Sequence, residues 1–299
     1  GHPYRHTPIG SHEDLTAATL DDVKGFFEQY YVPQNAVVTL VGDFKSADAK
    51  ALVARYFGSI PAGQAAAPPQ AALPKPTEIM HLVKEDNVKL PRVYLAWHTP
   101  ALFAAGDAEL DLFSNVLSDG KTSRLFYPLV YDKKIAKDVE AFQMSQKLSS
   151  VYIIQATAAP GQTVDALYDA LLANLNSALA TPPSDEELTR SINGYKKGFY
   201  ERVEGVQSRA SLLATYVLHT GTADYLQQDL ARYTQATPAS VHAAARQWLD
   251  PKAFVRLDIV PKASGASAPV TAPAPGPTPP STSSGDKPPP AKPVKGVKP

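Results

Sequence analysis

The chain has no cysteine in its 299 residues, and only two methionines and two tryptophans. Without cysteine there is no disulfide, no thiolate nucleophile and no cysteine metal site. An excess of either charge is also lacking, since 29 Lys and Arg stand against 29 Asp and Glu. That balance argues against a broad nucleic-acid-binding surface while leaving room for a local charged patch. No run of 18 apolar residues occurs, so no helical membrane span is expected. The opening Gly1-His2-Pro3-Tyr4-Arg5-His6 has neither an initiator methionine nor a charged-then-apolar leader, and reads as an internal position of a longer chain. Apolar side chains are plentiful at 44%, enough for a sizeable core.

Proline marks the organisation. Residues 61–77 carry Pro61, Pro68, Pro69, Pro74 and Pro76 among Ala and Gln, and read as an extended linker. Residues 262–299 are Pro, Ala, Ser, Gly and Lys with almost no large apolar side chain, and read as a disordered tail that cannot offset its ordering entropy. Four segments result: 1–60, the 61–77 linker, 78–261 and the tail. Both folded segments are patterned. Helices are expected over Leu15–Tyr31, Ala47–Phe57, Asp107–Leu117, Ser123–Asp132, Thr163–Leu179, Ser184–Leu218, Ala223–Tyr233 and Pro238–Leu249. Ser184 with Glu187 has capping-box spacing. Strands are expected over Ala36–Val41, Arg92–His98, Ala136–Gln143, Ser150–Ala156 and Phe254–Val260. Few strands and many helices indicate an α+β fold, a two-layer mixed β-sheet with helices packed on one face.

Thr19–Val41 resembles Thr237–Ile259 at an offset of 218 residues. Thr19 matches Thr237, Val23 matches Val241, Gln29 matches Gln247, Tyr30 matches Trp248, Pro33 matches Pro251 and Val37 matches Val255. Each stretch reads as a capped helix, a proline and an apolar strand. An offset this long is no solenoid period. It implies two tandem homologous halves, one complete and one represented by its end, with roughly 140 residues of the first half preceding Gly1.

The residues around these units resemble the pitrilysin/insulinase-type zinc metallopeptidases, the inverzincins. The likeness rests on Gly1-His2-Pro3-Tyr4, Thr7-Pro8-Ile9-Gly10, the run Phe26 to Asn35, Val41-Gly42-Asp43, and Leu117 to Leu125, and covers about residues 1–261. It implies that 1–60 close a catalytic-type half and that 78–261 form a non-catalytic half. In that family zinc is held by His-x-x-Glu-His and a later glutamate, and a metal-bound water attacks the peptide. This sequence has no His-x-x-Glu-His. The resemblance therefore implies zinc in the parent protein with ligands outside this chain, no zinc bound here, and no activity of the chain alone. Implied partners are an unfolded peptide substrate, bound along the chamber wall and strand edges, and a homologous catalytic half or subunit. A non-catalytic subunit of a heteromeric peptidase is the alternative.

The family's non-catalytic half adds a substrate-binding arginine and, seven residues later, a tyrosine. Aligned here, those positions hold Val130 and Lys137, both departures. Tyr131 stands beside the arginine position. The glycine-containing loop holds one glycine, Gly120. Ser123-Arg124 reads either as a peptide-binding pair or as a helix cap with a structural arginine. The candidate substrate residues are thus Val130, Lys137, Gly120 and Arg124, with no catalytic and no metal residue. His2 and His6 flank Pro3 and have poor helical geometry for a metal. His81, His219 and His242 have no carboxylate at ligand spacing, and Asp107, Glu109 and Asp111 suit a helix start. The Pro/Ala-rich tail suits a periplasmic or secreted protein.

Overall fold

Strand β2 (Arg92–Thr99) alternates strictly, with Val93, Leu95, Trp97 and Thr99 buried and the residues between them half-covered. One buried face and one open face is the signature of a sheet packed on helices from one side. A computed structural model describes residues 2–64, 67, 69, 71–73 and 76–262. The tail expected at 262–299 lies beyond them except for Lys262, as do several residues of the 61–77 linker. Among the described residues the sheet has five strands in the order β1-β5-β2-β4-β3. These are β1 (Met80–Asp86), β2, β3 (Ala136–Met144), β4 (Ser150–Ala158) and β5 (Val255–Pro261). β1 pairs parallel with β5, and the other pairings are antiparallel. The sheet is therefore mixed.

Helices α1 (His12–Ala17), α2 (Leu20–Tyr30) and α3 (Ser46–Phe57) precede the sheet. Helices α4 (Asp107–Ser118), α5 (Val164–Ala180), α6 (Asp185–Glu204), α7 (Val206–Thr220), α8 (Leu226–Thr234) and α9 (Pro238–Trp248) lie between the strands β2 and β5 in the sequence. α5 buries Leu167, Leu171, Leu175, Ala178 and Leu179, an i, i+4, i+8 stripe, against the sheet. α4 and α9 add Leu110, Leu112, Phe113, Leu117, Val241 and Ala245 to the same core.

Several expectations are corrected. Leu15–Tyr31 is two helices, because Thr19 leaves helical geometry to cap the second with a full capping box. The long helix from Ser184 is broken at Gly205, whose extended φ −70°, ψ 129° ends α6 and begins α7. Ser123–Asp132 is mostly turn and a π-helical segment, Tyr127–Asp132. β1 was not expected. Ala36–Val41 forms no strand, since no described residue supplies it with a ladder partner.

The repeat extends to the backbone. α2 and α9 each span 11 residues, and both begin with a threonine capping box. Their C-caps share one unusual conformation: Tyr31 at φ −97°, ψ 59° and Leu249 at φ −104°, ψ 63°. The side chains differ in cover. Val241, Ala244 and Ala245 of α9 are 0%, 8% and 0% exposed, whereas their α2 equivalents Val23, Phe26 and Phe27 are 47%, 52% and 51% exposed.

Candidate functional site

Chemistry-bearing side chains gather in two places. One is a cavity of about 1220 Å³ between α4, α6, α7, α8 and the end of β3, lined by Asp111, Gln143, Tyr195, Arg202, Arg232 and Tyr233 among others. A buried ionic lattice forms its wall. Asp107, fully buried, accepts from the Phe103 N–H at 3.0 Å, Gln143 Nε2 at 2.8 Å and the Ser145 hydroxyl at 2.7 Å, and pairs with Arg232. Arg232 also donates to Asp229 at 3.0 Å, which accepts from the Tyr216 hydroxyl at 2.7 Å. The Tyr233 hydroxyl donates to Asp111 at 2.7 Å. Burial pushes Asp111 up to about 7 against the opposing pull of that hydrogen bond. The charges here serve one another, and they lock α8 onto α4. Sequence reasoning assigned Asp107 and Asp111 to the helix dipole and missed the lattice, because Arg232 lies 125 residues away.

The second place is a trough of about 560 Å³ at one end of the sheet's open face. Its floor is Tyr94, Leu257 and Ile259, and Val88 and Leu90 from the β1–β2 turn edge it. Lys137 reaches it through a bulge. Ala136 pairs with Ala158 and Asp138 with Thr157, so residue 137 is extra in β3. A bulge sets two successive side chains toward one face and re-aims the first. Across the floor, Arg92 Nε donates to the Thr157 hydroxyl at 2.8 Å, and that hydroxyl donates to Asp138 at 2.8 Å.

The four residues selected from the sequence do not converge. Lys137 is exposed and lines the trough. Val130 is half-buried in the π-helical segment and packs on the core, while Tyr131 points outward and stacks on Tyr127 at 5.5 Å between ring centroids. Gly120 sits at φ +78° in an exposed turn, a conformation that favours glycine, and its carbonyl accepts from the Ser123 hydroxyl at 2.8 Å. Arg124 spends all five N–H donors internally: two on Glu187 at 2.8 and 2.7 Å, and three on the carbonyls of Ala178, Thr181 and Pro182. It ties the end of α5 to the start of α6. The Arg124 guanidinium holds Glu187 down at about 2.

The histidines occupy separate positions. His81 meets Asp258 at 2.8 Å from a strand 177 residues away, a partner that spacing did not reveal. Asp258 is also held by Arg256 at 2.7 Å. His2 caps a short turn through a hydrogen bond from the Tyr4 N–H. Among the described residues no three or more His, Asp or Glu side chains are placed to hold a metal ion. No described helix is long and apolar enough to cross a membrane.

Comparison with known proteins agrees with this architecture. The family profile described as the peptidase M16 inactive domain matches residues 17–195. The zinc protease PqqE of Helicobacter pylori is 31% identical over 238 residues, which cover 77% of this chain and 53% of that protein. The crystal structure of a protease from Helicobacter pylori superposes with a TM-score of 0.78 at 27% identity, covering 87% of this chain and 63% of that one. The periplasmic protease PqqL of Escherichia coli shares the fold, with a TM-score of 0.59 at 18% identity, over 74% of this chain and 25% of that one. The chain spans about half the length of the curated relatives it matches. On the profile match and the PqqE likeness together, the chain belongs to the peptidase M16 family and carries its inactive domain.

Proposed function

We propose that residues 78–261 form the non-catalytic half of a two-half zinc peptidase and that residues 1–60 close its catalytic-type half. The observation that carries this reading is the repeated unit. α2 copies α9 in length, cap and C-cap geometry, yet presents bare the three positions that α9 buries. Burying each of these side chains stabilises by about 1.5–3 kcal/mol, so the α2 face is built for a cover. Ala36–Val41 has a strand-like apolar sequence and likewise no ladder partner among the described residues. The remainder of the catalytic-type half supplies both. In this reading zinc and its ligands belong to that half, and the present chain supplies chamber wall, with Lys137 on it, to an unfolded peptide. Val130 and Gly120 shape that wall, and Arg124 braces it. The linker over 61–77 and the tail over 262–299 complete the organisation.

The test is the whole gene product. It cleaves an unstructured peptide in a chelator-sensitive way, and the present chain alone does not. Absence of His-x-x-Glu-His upstream, or chelator-insensitive cleavage, would overturn the reading. A second reading, a non-catalytic partner subunit, is favoured by Val130 and Lys137 standing where the family places arginine and tyrosine. Co-purification with a zinc-bearing homologue, with no activity of the full product alone, would select it. We also propose a periplasmic or secreted location, supported by the cysteine-free composition and the fold shared with a periplasmic protease. Fractionation of the host cell tests it.

A further inference from the structure

The trough on the open sheet face has a charge character that the whole chain lacks. Four cations line it: Lys84 from β1, Lys89 from the β1–β2 turn, Arg92 from β2 and Lys137 from the β3 bulge. Asp86 is the carboxylate among its lining residues, and Asp138 borders it 3.9 Å from Arg92. Lys84, Lys89 and Lys137 make no ion pair among the described residues, and all three are exposed. Between them lie the apolar side chains of Leu257 and Ile259 and the ring of Tyr94, beside the Arg92–Thr157 hydrogen bond. Lining residues come from all five strands, so at about 4.8 Å per strand the trough runs roughly 19 Å, the length of about six extended residues.

We propose that this trough selects acidic stretches of an unfolded peptide, with carboxylates set on the lysines of the rim and apolar side chains between them on Tyr94, Leu257 and Ile259. The inference rests on the reading of this half as a peptide-binding wall and adds the substrate class. A cationic rim around an apolar floor suits a chain that carries both characters. A bare phosphate has nothing to place on that floor. The four cations are interrupted by Asp86 and by Asp138 beside Arg92, unlike the continuous basic track a nucleic acid follows. Three unpaired ammonium groups also make the interaction sensitive to salt.

The experiment uses the full chain and a fluorescein-labelled peptide of alternating Glu and Leu, about six residues long, alongside its Gln–Leu counterpart. The expected result by anisotropy at low salt is a Glu peptide bound roughly tenfold or more tightly than the Gln peptide, an advantage lost at about 0.5 M salt. The double variant Lys89→Glu with Lys137→Glu should abolish the advantage, while Lys197→Glu on α6 should keep it. Circular dichroism confirms that the variants are folded. Equal binding of both peptides would overturn the selectivity and leave the wall reading standing. Failure of both peptides to bind would overturn the selectivity and the wall reading together. Competition by inorganic phosphate that removes the Glu peptide would overturn the peptide assignment in favour of a general anion site.

Discussion

Removing the Arg124 side chain separates a structural brace from a substrate contact. In Arg124→Ala, Glu187 loses both of its guanidinium hydrogen bonds, and three carbonyls at the α5–α6 junction lose their donors. The displacement of Glu187 from 4.5 to about 2 corresponds to at most about 3 kcal/mol. Both side chains reach solvent, at 18% and 21% exposure, and screening brings the pair to about 1–2 kcal/mol. The Thr181 and Pro182 carbonyls lie at the surface and rehydrate, while the part-buried Ala178 carbonyl adds about 1 kcal/mol. The expected loss is therefore about 2–3 kcal/mol at neutral pH. The pH dependence has a definite sign. A carboxylate depressed in the folded state contributes stability that is present above pH 4.5 and lost as pH falls toward 2. Urea unfolding at pH 7 and at about pH 3 measures both effects. The wild type should weaken on acidification more than the variant does. A loss below about 0.5 kcal/mol, or an unchanged acid response, would refute the brace.

Other perturbations probe separate features. Asp107→Ala should cost about 2–4 kcal/mol in urea unfolding, because the Phe103 N–H, Gln143 and Ser145 lose their buried acceptor and Arg232 is left with Asp229 alone. Asp111 is raised to about 7 in the folded state, so its contribution to stability is fully present below the ordinary value of 3.8 and is lost as pH rises through 7; Asp111→Asn should flatten that part of the stability profile. Gly106 caps α4 at φ +92° with the Trp248 indole 3.2 Å from where a Cβ would sit, and Gly106→Ala should lower stability by about 1–3 kcal/mol. Phe27→Asp should leave the unfolding of the isolated chain within about 0.5 kcal/mol of wild type, since that ring is already exposed, yet should prevent assembly with the remainder of the catalytic-type half in a pull-down.

Local physics was legible in the sequence and non-local physics was not. Ser184 declared its cap through the spacing to Glu187, the repeat marked Thr19 and Thr237 as cap positions, and the patterning of Thr163–Leu179 and Arg92–His98 gave the helix α5 and the strand β2. The break at Gly205 was hidden because apolar periodicity runs on through it, and the break itself is an extended backbone at one residue. β1 was hidden because all seven of its residues are exposed, which removes the alternation that marks a half-buried strand. Ala36–Val41 has the composition of a strand, and composition cannot provide a ladder. The two charged assemblies were invisible for one reason: the Asp107 lattice joins α4 to α8, and the cationic rim draws Lys84, Arg92 and Lys137 from separate strands. Lys137 was chosen by its place in a family motif, whereas its presence in the trough depends on a bulge that no motif records.

Amide hydrogen exchange over residues 37–41 tests most directly whether α2 and the following extended segment are the end of a divided half. In the present chain those amides should exchange without protection. In the whole gene product they should be slowed by at least about a hundredfold, as ladder amides of a stable sheet are, together with loss of solvent access at Phe26 and Phe27. Fast exchange in both forms would contradict the claim that another half completes this unit.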